Sequence, residues 1–176
     1  MEINEPLKIE DVDFRIQSIN KGGYATILPY KNARVDMERL DAVYGHARWQ
    51  RKHELVNGNL FCSIGVLFDG VWVWKQDVGV ESNAEKEKGQ ASDSFKRAGF
   101  NWGIGRELYD YPEISVKLSA DEITEKNGKF YASWALKLKE WAWYSEFDGK
   151  SISFLAGRDS KGKVRYKWGA RNGKVI

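Results

Sequence analysis

The pattern of apolar and polar positions over the first 80 residues predicts strands on both sides of one helix. Apolar residues alternate in part over residues 12–19 and 24–30, and Gly22-Gly23 separates these two runs as a turn. Asn32 is a suitable N-cap for a helix whose apolar face is Ala33, Met37, Leu40, Tyr44 and Ala47.

Three β-rich runs follow that helix, and hairpin dipeptides separate them. The runs cover residues 49–56, 60–68 and 71–78, with Asn57-Gly58 and Asp69-Gly70 between them. This arrangement predicts an antiparallel meander. Its central run places Cys62 on the same face as Ile64 and Val66, so we expect this cysteine to be buried and inert.

A second helix is predicted to begin at Ser82 and to end near Phe100. Residues 82–85 form an S-x-x-E capping box. Phe95 and Ala98 would face the core, and a glycine-spaced turn over residues 103–105 follows the helix.

The pattern returns to β after Pro112. Residues 129–138 alternate, with Phe130, Trp134 and Leu136 on the inward side, and residues 151–156 and 164–168 form a terminal hairpin. The order of elements predicts an α+β fold, an antiparallel meander packed with two main helices and followed by a C-terminal hairpin region. We place a core domain at residues 1–112 and a β-rich basic extension, packed on the same domain, at 113–176.

Charge is distributed unevenly along the chain. The net charge is only +3, but from Lys150 onward there are eight basic residues against one acid, which leaves 20 basic and 24 acidic residues before it. Such an end indicates contact with nucleic acid or with an acidic partner, or it is a solvated edge. The 8 Trp, 8 Tyr and 8 Phe residues fill cores or stack on bases, and composition does not separate these uses.

The remaining composition favours a soluble protein of a reducing compartment. A single cysteine excludes an intramolecular disulfide, the polar start has no signal-peptide character, and no apolar run approaches the length of a membrane span. We expect a cytoplasmic location in a bacterial or phage-infected cell.

No catalytic or cofactor motif is evident in the sequence. His46 and His53 have no partner at metal-ligand spacing, a phosphate-binding loop is absent, and the glycines at 103 and 105 lack a third. We predict no metal, no cofactor and no enzymatic activity. The alternative is a metal-dependent nuclease that uses Asp69 and Asp77.

Basic residues gather along the second helix and the turn after it, at Lys86, Lys88, Lys96, Arg97 and Arg106. Lys and Arg neutralise phosphates and release counterions, so this pattern favours a protein that holds a polyanion. The alternative from residues alone is a solvated helix face.

Four ordered segments resemble the single-strand annealing proteins of the Rad-fifty-two and Rad-twenty-two type, including phage proteins of the Sak kind. The segments read PYKNARVDMERLD at residues 29–41, VYGHARW at 43–49, DVG at 77–79, and EKGQASDSFKRA at 87–98 followed by GIGRELY at 103–109. The resemblance covers residues 12 to about 112.

This resemblance implies a ring or filament of identical subunits with a basic groove for single-stranded DNA. It implies annealing of complementary strands without ATP, in recombination and double-strand break repair. A single-strand DNA-binding protein or an exonuclease is a candidate protein partner, and no membrane is involved. The rival is a DNA-binding protein that protects single strands and does not anneal them.

Five residues match positions that line the DNA-binding groove in this family. Lys96 and Arg97 match the groove-lining pair, and Lys88 matches a further groove lysine. Tyr30 and Arg15 match an aromatic and an arginine of the groove. Asn59 stands where the family's outer DNA site has a lysine, so the basic terminal hairpin is the candidate replacement.

Overall fold

The structure, a computed structural model, describes residues 1–80 and 86–171, with the side chains of residues 86–88 left out. These residues form two helices, α1 (Ala33–Tyr44) and α2 (Lys86–Asn101). Their strands are β1 (Asp13–Ile19), β2 (Tyr24–Tyr30), β3 (Trp49–Val56), β4 (Asn59–Phe68), β5 (Val71–Val78), β6 (Ile114–Lys117), β7 (Ile123–Lys126), β8 (Lys129–Ala132), β9 (Ala142–Asp148), β10 (Ser151–Arg158) and β11 (Val164–Gly169). All observed strand pairs are antiparallel, and the predicted α+β class is confirmed.

The chain divides into two compact units. One, here the helical unit, consists of Met1–Leu7 and Lys31–Arg106. The other, here the strand unit, consists of Lys8–Tyr30 and Glu107–Ile176. The domain boundary expected near residue 112 stays a prediction.

The helical unit packs α1 and α2 with the three-stranded sheet β3-β4-β5. As predicted, Asn32 caps α1, since its side chain accepts a hydrogen bond from the backbone N–H of Arg34 at 2.8 Å. The guanidinium of Arg39 donates to the carbonyl of Glu5 at 2.6 Å, which attaches the N-terminal arm to α1.

The core of the helical unit lies between α2 and the central strand of this sheet. Its fully buried members are Leu40, Cys62, Ile64, Val66, Phe95, Ala98 and Ile104. Burial raises the pKa of the Cys62 thiol to about 11, so the thiolate, the reactive form of cysteine, is disfavoured. The prediction that Cys62 is buried is confirmed.

The strand unit contains the sheets β1-β2-β6 and β9-β10-β11 and the hairpin β7-β8. Its core combines side chains from all three, including Ile27, Val116, Leu136 and Leu155. The ring of Phe14 stacks on that of Trp143, with 3.9 Å between ring centroids. Pro29 lies in β2 beyond the residues that pair with β6, so its missing N–H interrupts no ladder on that side.

The prediction of one strand over residues 129–138 is wrong beyond Ala132, where β8 ends. The chain turns at Ser133, whose hydroxyl accepts a hydrogen bond from the backbone N–H of Ala135 at 3.1 Å, and a short 3-10 turn follows at Leu138–Glu140. Lys137 has φ 46°, in the left-handed region, which a strand cannot accommodate. Leu136 is buried as expected, whereas Trp134, expected to point inward, is 88% exposed.

The capping box predicted at residues 82–85 lies outside the described residues. Neither α1 nor the described part of α2 is long and apolar enough to cross a membrane.

Candidate nucleic-acid interface

Helix α2 holds Lys96 and Arg97 by burying the residues on either side of them. Phe95 and Ala98 have no exposed surface, and the indole N–H of Trp102, just after the helix, donates to the carbonyl of Ile64 at 3.1 Å. The helix is thereby attached to β4. Lys96 and Arg97 are half-buried, so their stems rest on the protein and their positions are restricted.

Arg97 has an acidic neighbour. Its Nε lies 3.5 Å from a carboxylate oxygen of Asp77, with the two side chains 39% and 26% exposed. A partly exposed pair of this kind contributes little to stability, about 0–1 kcal/mol. The guanidinium is therefore positioned by Asp77 and still reaches solvent.

A buried ion pair lies near Lys96. Lys31 and Asp36 pair in the interior, and they are 1% and 0% exposed. Burial raises the pKa of Asp36 to about 6, although the positive charges of Lys31 and Lys96 oppose this rise. Two cations, Lys31 and Lys96, thus act on the carboxylate of Asp36.

The helix leaves space for this pair at Gly99. A Cβ at Gly99 would lie 2.0 Å from a carboxylate oxygen of Asp36 and 3.2 Å from the Lys31 ammonium. Real Cβ atoms do not approach oxygen so closely, so α2 packs over the pair only with glycine there. The ammonium of Lys31 also lies 4.2 Å from the centre of the Phe100 ring, a cation–π contact.

The C-terminal end of α2 gathers two further cations. The guanidinium of Arg106 donates to the carbonyls of Phe100 at 2.8 Å and Asn101 at 3.2 Å, and the Lys75 ammonium donates to that of Asn101 at 2.9 Å. These carbonyls have no partner within the helix, and positive charge at a helix C-terminus is favourable. Arg106, predicted to contact DNA, has this structural contact, and its DNA contact stays a prediction.

Arg15 and Tyr30 lie together in the strand unit. The Arg15 guanidinium is 5.5 Å from the centre of the Tyr30 ring, and the two residues belong to the paired strands β1 and β2. Burial, with a contribution from Asp13, raises the pKa of Tyr30. The predicted site residues therefore fall in two groups, Lys96, Arg97 and Arg106 in the helical unit and this pair in the strand unit. The side chain of Lys88 lies outside the described residues.

The sequence analysis did not identify the basic residues Lys31 and Lys75 as neighbours of this site. Lys31 immediately precedes the N-cap of α1, a position where an exposed lysine is ordinary. No periodicity marks either residue, because each reaches its partner through tertiary packing.

The carboxylates proposed for a nuclease do not form a common site in this chain. Asp69 lies in the turn before β5 with φ 47°, and Asp77 lies near the other end of that strand. The six strand steps from Val71 to Asp77 alone span about 20 Å at the usual rise. Among the described residues, no group of three His, Cys, Asp or Glu side chains is arranged to hold a metal ion.

The basic C-terminal region is partly neutralised by its own fold. Arg165 pairs with Glu122 at 2.8 Å and with Asp159 at 3.3 Å, and its side chain is only 11% exposed. Arg171 lies 3.5 Å from Glu146. The net positive charge counted from the sequence from Lys150 onward therefore overstates the charge that this region presents to a partner.

Comparison with known proteins gives two relatives. No protein-family model matches the chain. The single-stranded DNA-binding protein DdrA of Deinococcus radiodurans is 34% identical over 91 residues, which are 51% of this chain and 43% of the relative. The single-stranded DNA-binding protein DdrA of Deinococcus deserti is 35% identical over 91 residues, 51% of this chain and 45% of the relative.

This chain is similar to both over half its length. Each match spans less than half of the curated relative. The names of both relatives describe binding of single-stranded DNA. The more specific resemblance to the Rad-fifty-two type stays a prediction.

Proposed function

We propose that this protein binds single-stranded DNA and, as an oligomer, anneals complementary strands without ATP in recombination and repair. The observation that carries the proposal is the similarity, over half the chain, to two proteins named for binding single-stranded DNA. The cations around α2 support it independently, since Lys96 and Arg97 lie on a helix that is packed against the sheet, and both side chains are partly exposed to solvent.

The physical basis is neutralisation of phosphates. Each phosphate contact by Lys or Arg releases counterions, and for single strands log K falls with log salt by about 0.7 per contact. Lys96 and Arg97 offer two adjacent charges on one rigid helix. Contacts to the backbone carry no sequence information and leave base edges free, which annealing requires.

Assembly into an oligomer is supported by exposed apolar side chains on the sheet of the helical unit. Leu55 is 74% exposed near one hairpin end of that sheet, and Phe68 and Val71 at the other are 62% and 64% exposed. Apolar side chains on strand ends and edges favour contact with another chain. Identical subunits in a ring or filament would multiply weak phosphate contacts along one strand by raising their effective concentration.

A strand-pairing assay tests the proposal. Two complementary oligonucleotides with donor and acceptor dyes are mixed with the protein, without ATP, and pairing is followed by energy transfer. We expect faster pairing than in buffer alone and loss of that acceleration in Lys96→Ala/Arg97→Ala. A control variant, Lys8→Ala/Lys21→Ala, removes two exposed positive charges from the strand unit and should pair strands like the wild type.

The same assay separates the alternatives. Slower pairing by wild-type protein that still binds the oligonucleotides would indicate a strand-protecting protein and would exclude annealing. Cleavage of the labelled strands in magnesium or manganese would indicate the nuclease. Full strand pairing by the double variant, with its oligomeric mass unchanged, would contradict the assignment of the site to α2.

A further inference from the structure

A second candidate DNA contact lies on the β7-β8 hairpin. The outer face of this hairpin and the turn that follows it line an open cleft of about 680 Å³, here called the hairpin cradle. Its lining includes Thr124, Lys126, Lys129, Tyr131, Ser133 and Trp134. A cleft of this size falls within the roughly 300–1,000 Å³ typical of ligand sites.

The strand register places both lysines and the tyrosine on one face. Lys126 is opposite Lys129 and Thr124 is opposite Tyr131, so all four side chains point to the same side of the hairpin. The alternate residues Ile123 and Phe130 pack against the core of the strand unit instead. The acidic residue of the hairpin, Glu125, is opposite Phe130 and so belongs to the inner face.

The backbone that carries Trp134 is fixed by the hydrogen bonds of its neighbour Ser133. Ser133 donates from its N–H to the carbonyl of Glu122 at 2.9 Å and from its hydroxyl to that of Asp121, and it accepts from Ala135. Leu136 is 4% exposed and anchors the following turn. Trp134 is nevertheless 88% exposed and Tyr131 49%. An aromatic ring presented to solvent on a fixed backbone is available for stacking.

Charge and chemistry together select the ligand. Within the described residues, the ammonium groups of Lys126 and Lys129 have no ion pair or hydrogen bond, and no carboxylate lines the cleft. Two adjacent like charges without a counterion favour a polyanion. Two exposed aromatic rings beside them favour a ligand with flat unpaired rings, because bases in a duplex keep their faces stacked on each other.

We infer that the hairpin cradle binds one or two nucleotides of single-stranded DNA, with bases stacked on Trp134 and Tyr131 and phosphates held by Lys126 and Lys129. This rests on the proposed function and adds a contact that the α2 site does not supply. Stacking is independent of base identity, so the cradle would add affinity without sequence preference. Stacking occupies the face of a base and leaves its pairing edge free, as annealing requires.

Photochemical crosslinking with binding measurements tests this inference. An oligothymidylate carrying one 5-iododeoxyuridine is irradiated with the protein, and the modified peptide is identified by mass spectrometry. We expect crosslinks at Trp134 or Tyr131.

By fluorescence anisotropy, Trp134→Ala should weaken binding at least about fivefold, which corresponds to the lower end of one base-stacking contact. Lys126→Ala/Lys129→Ala should lower the salt slope by about 1.4.

A matched control and the measured outcomes distinguish DNA binding by the cradle from a contact between copies of the chain. Lys8→Ala/Lys21→Ala removes two exposed charges from the strand unit and should bind like the wild type. Wild-type binding that the cradle variants leave unchanged would overturn the cradle and leave the proposed function standing. Absence of wild-type binding would overturn both. A loss of oligomeric mass in Trp134→Ala would show a contact between copies and overturn the cradle.

Discussion

At the scale of single residues, the helical unit combines a buried charge pair with half-buried cations that reach solvent. Lys31 and Asp36 lie in the interior, and Lys96 lies near enough for its charge to lower the pKa of that carboxyl against the effect of burial. Removing charges from water is costly, and a buried pair is retained only with good geometry. The pair therefore links the fold of the unit to the charge of the proposed DNA site.

Removing one partner of this pair should destabilise the protein strongly. In Asp36→Ala the buried Lys31 ammonium would lose the carboxylate with which it pairs, so we expect the free energy of unfolding to fall by about 3–5 kcal/mol. Urea denaturation measures this change. The matched variant Lys31→Met/Asp36→Leu removes both charges and should recover most of the loss. A change below about 1 kcal/mol in Asp36→Ala would contradict the buried pair.

Which residue contacts could be predicted from the sequence depends on how local they are. The Asn32 cap and the burial of Cys62 follow from neighbouring residues and from strand alternation, and both are confirmed. The Lys31–Asp36 pair and the link from Lys75 to Asn101 depend on packing against α2, so no local pattern reports them. The exposure of Trp134 was mispredicted because the turn at Ser133 breaks the alternation.

At the scale of elements, the terminal strand β11 is joined to the turn before β7 by one ion pair. Arg165 on β11 pairs with Glu122, which also accepts from the backbone N–H of Ser119 at 2.9 Å. The hydrogen bond from Arg165 is the main cause that lowers the pKa of Glu122 to about 2, against the opposing effect of burial. The carboxylate is therefore the form that holds these elements together.

This shift predicts a specific pH dependence. Because the pKa of Glu122 is depressed in the folded protein, its contribution is present above pH 4.5 and is lost as the pH falls towards 2. Glu122→Gln should lower the free energy of unfolding by about 2 kcal/mol at pH 7, and its difference from the wild type should shrink between pH 4.5 and 2. Urea denaturation over this range measures it. A difference that is equal at pH 7 and pH 3 would exclude the ion pair as its cause.

Elements with strong local signals were predicted well, and short ones were not. Helix α1 and the meander β3-β4-β5 agree with the hydrophobic periodicity and the hairpin dipeptides, and the predicted α+β class is confirmed. The short strands β6 and β7 and the strand β9 were missed. β6 and β7 have four residues each, which is too few for alternation to separate a strand from a loop.

At the scale of the whole molecule, the proposed function requires a scaffold that binds single strands reversibly. The chain matches less than half of two proteins named for binding single-stranded DNA, and its candidate contacts lie on rigid elements. Annealing needs strands to be held loosely enough to pair. In the proposed oligomer, few phosphate contacts on each subunit, repeated over several subunits, would meet this need because each contact is weak and their sum is large.

The salt dependence of single-strand binding tests the central claim most directly. Anisotropy of a dye-labelled oligothymidylate is titrated with wild type, with Lys96→Ala/Arg97→Ala and with Lys8→Ala/Lys21→Ala from low to high salt. We predict that the wild type binds tightly at low salt. The Lys96→Ala/Arg97→Ala variant should bind more weakly, and its slope of log K against log salt should be smaller by about 1.4. The Lys8→Ala/Lys21→Ala control should keep the affinity and the slope of the wild type. Equal affinity and slope in the α2 variant, or a wild type that binds no oligonucleotide even at low salt, would contradict the account.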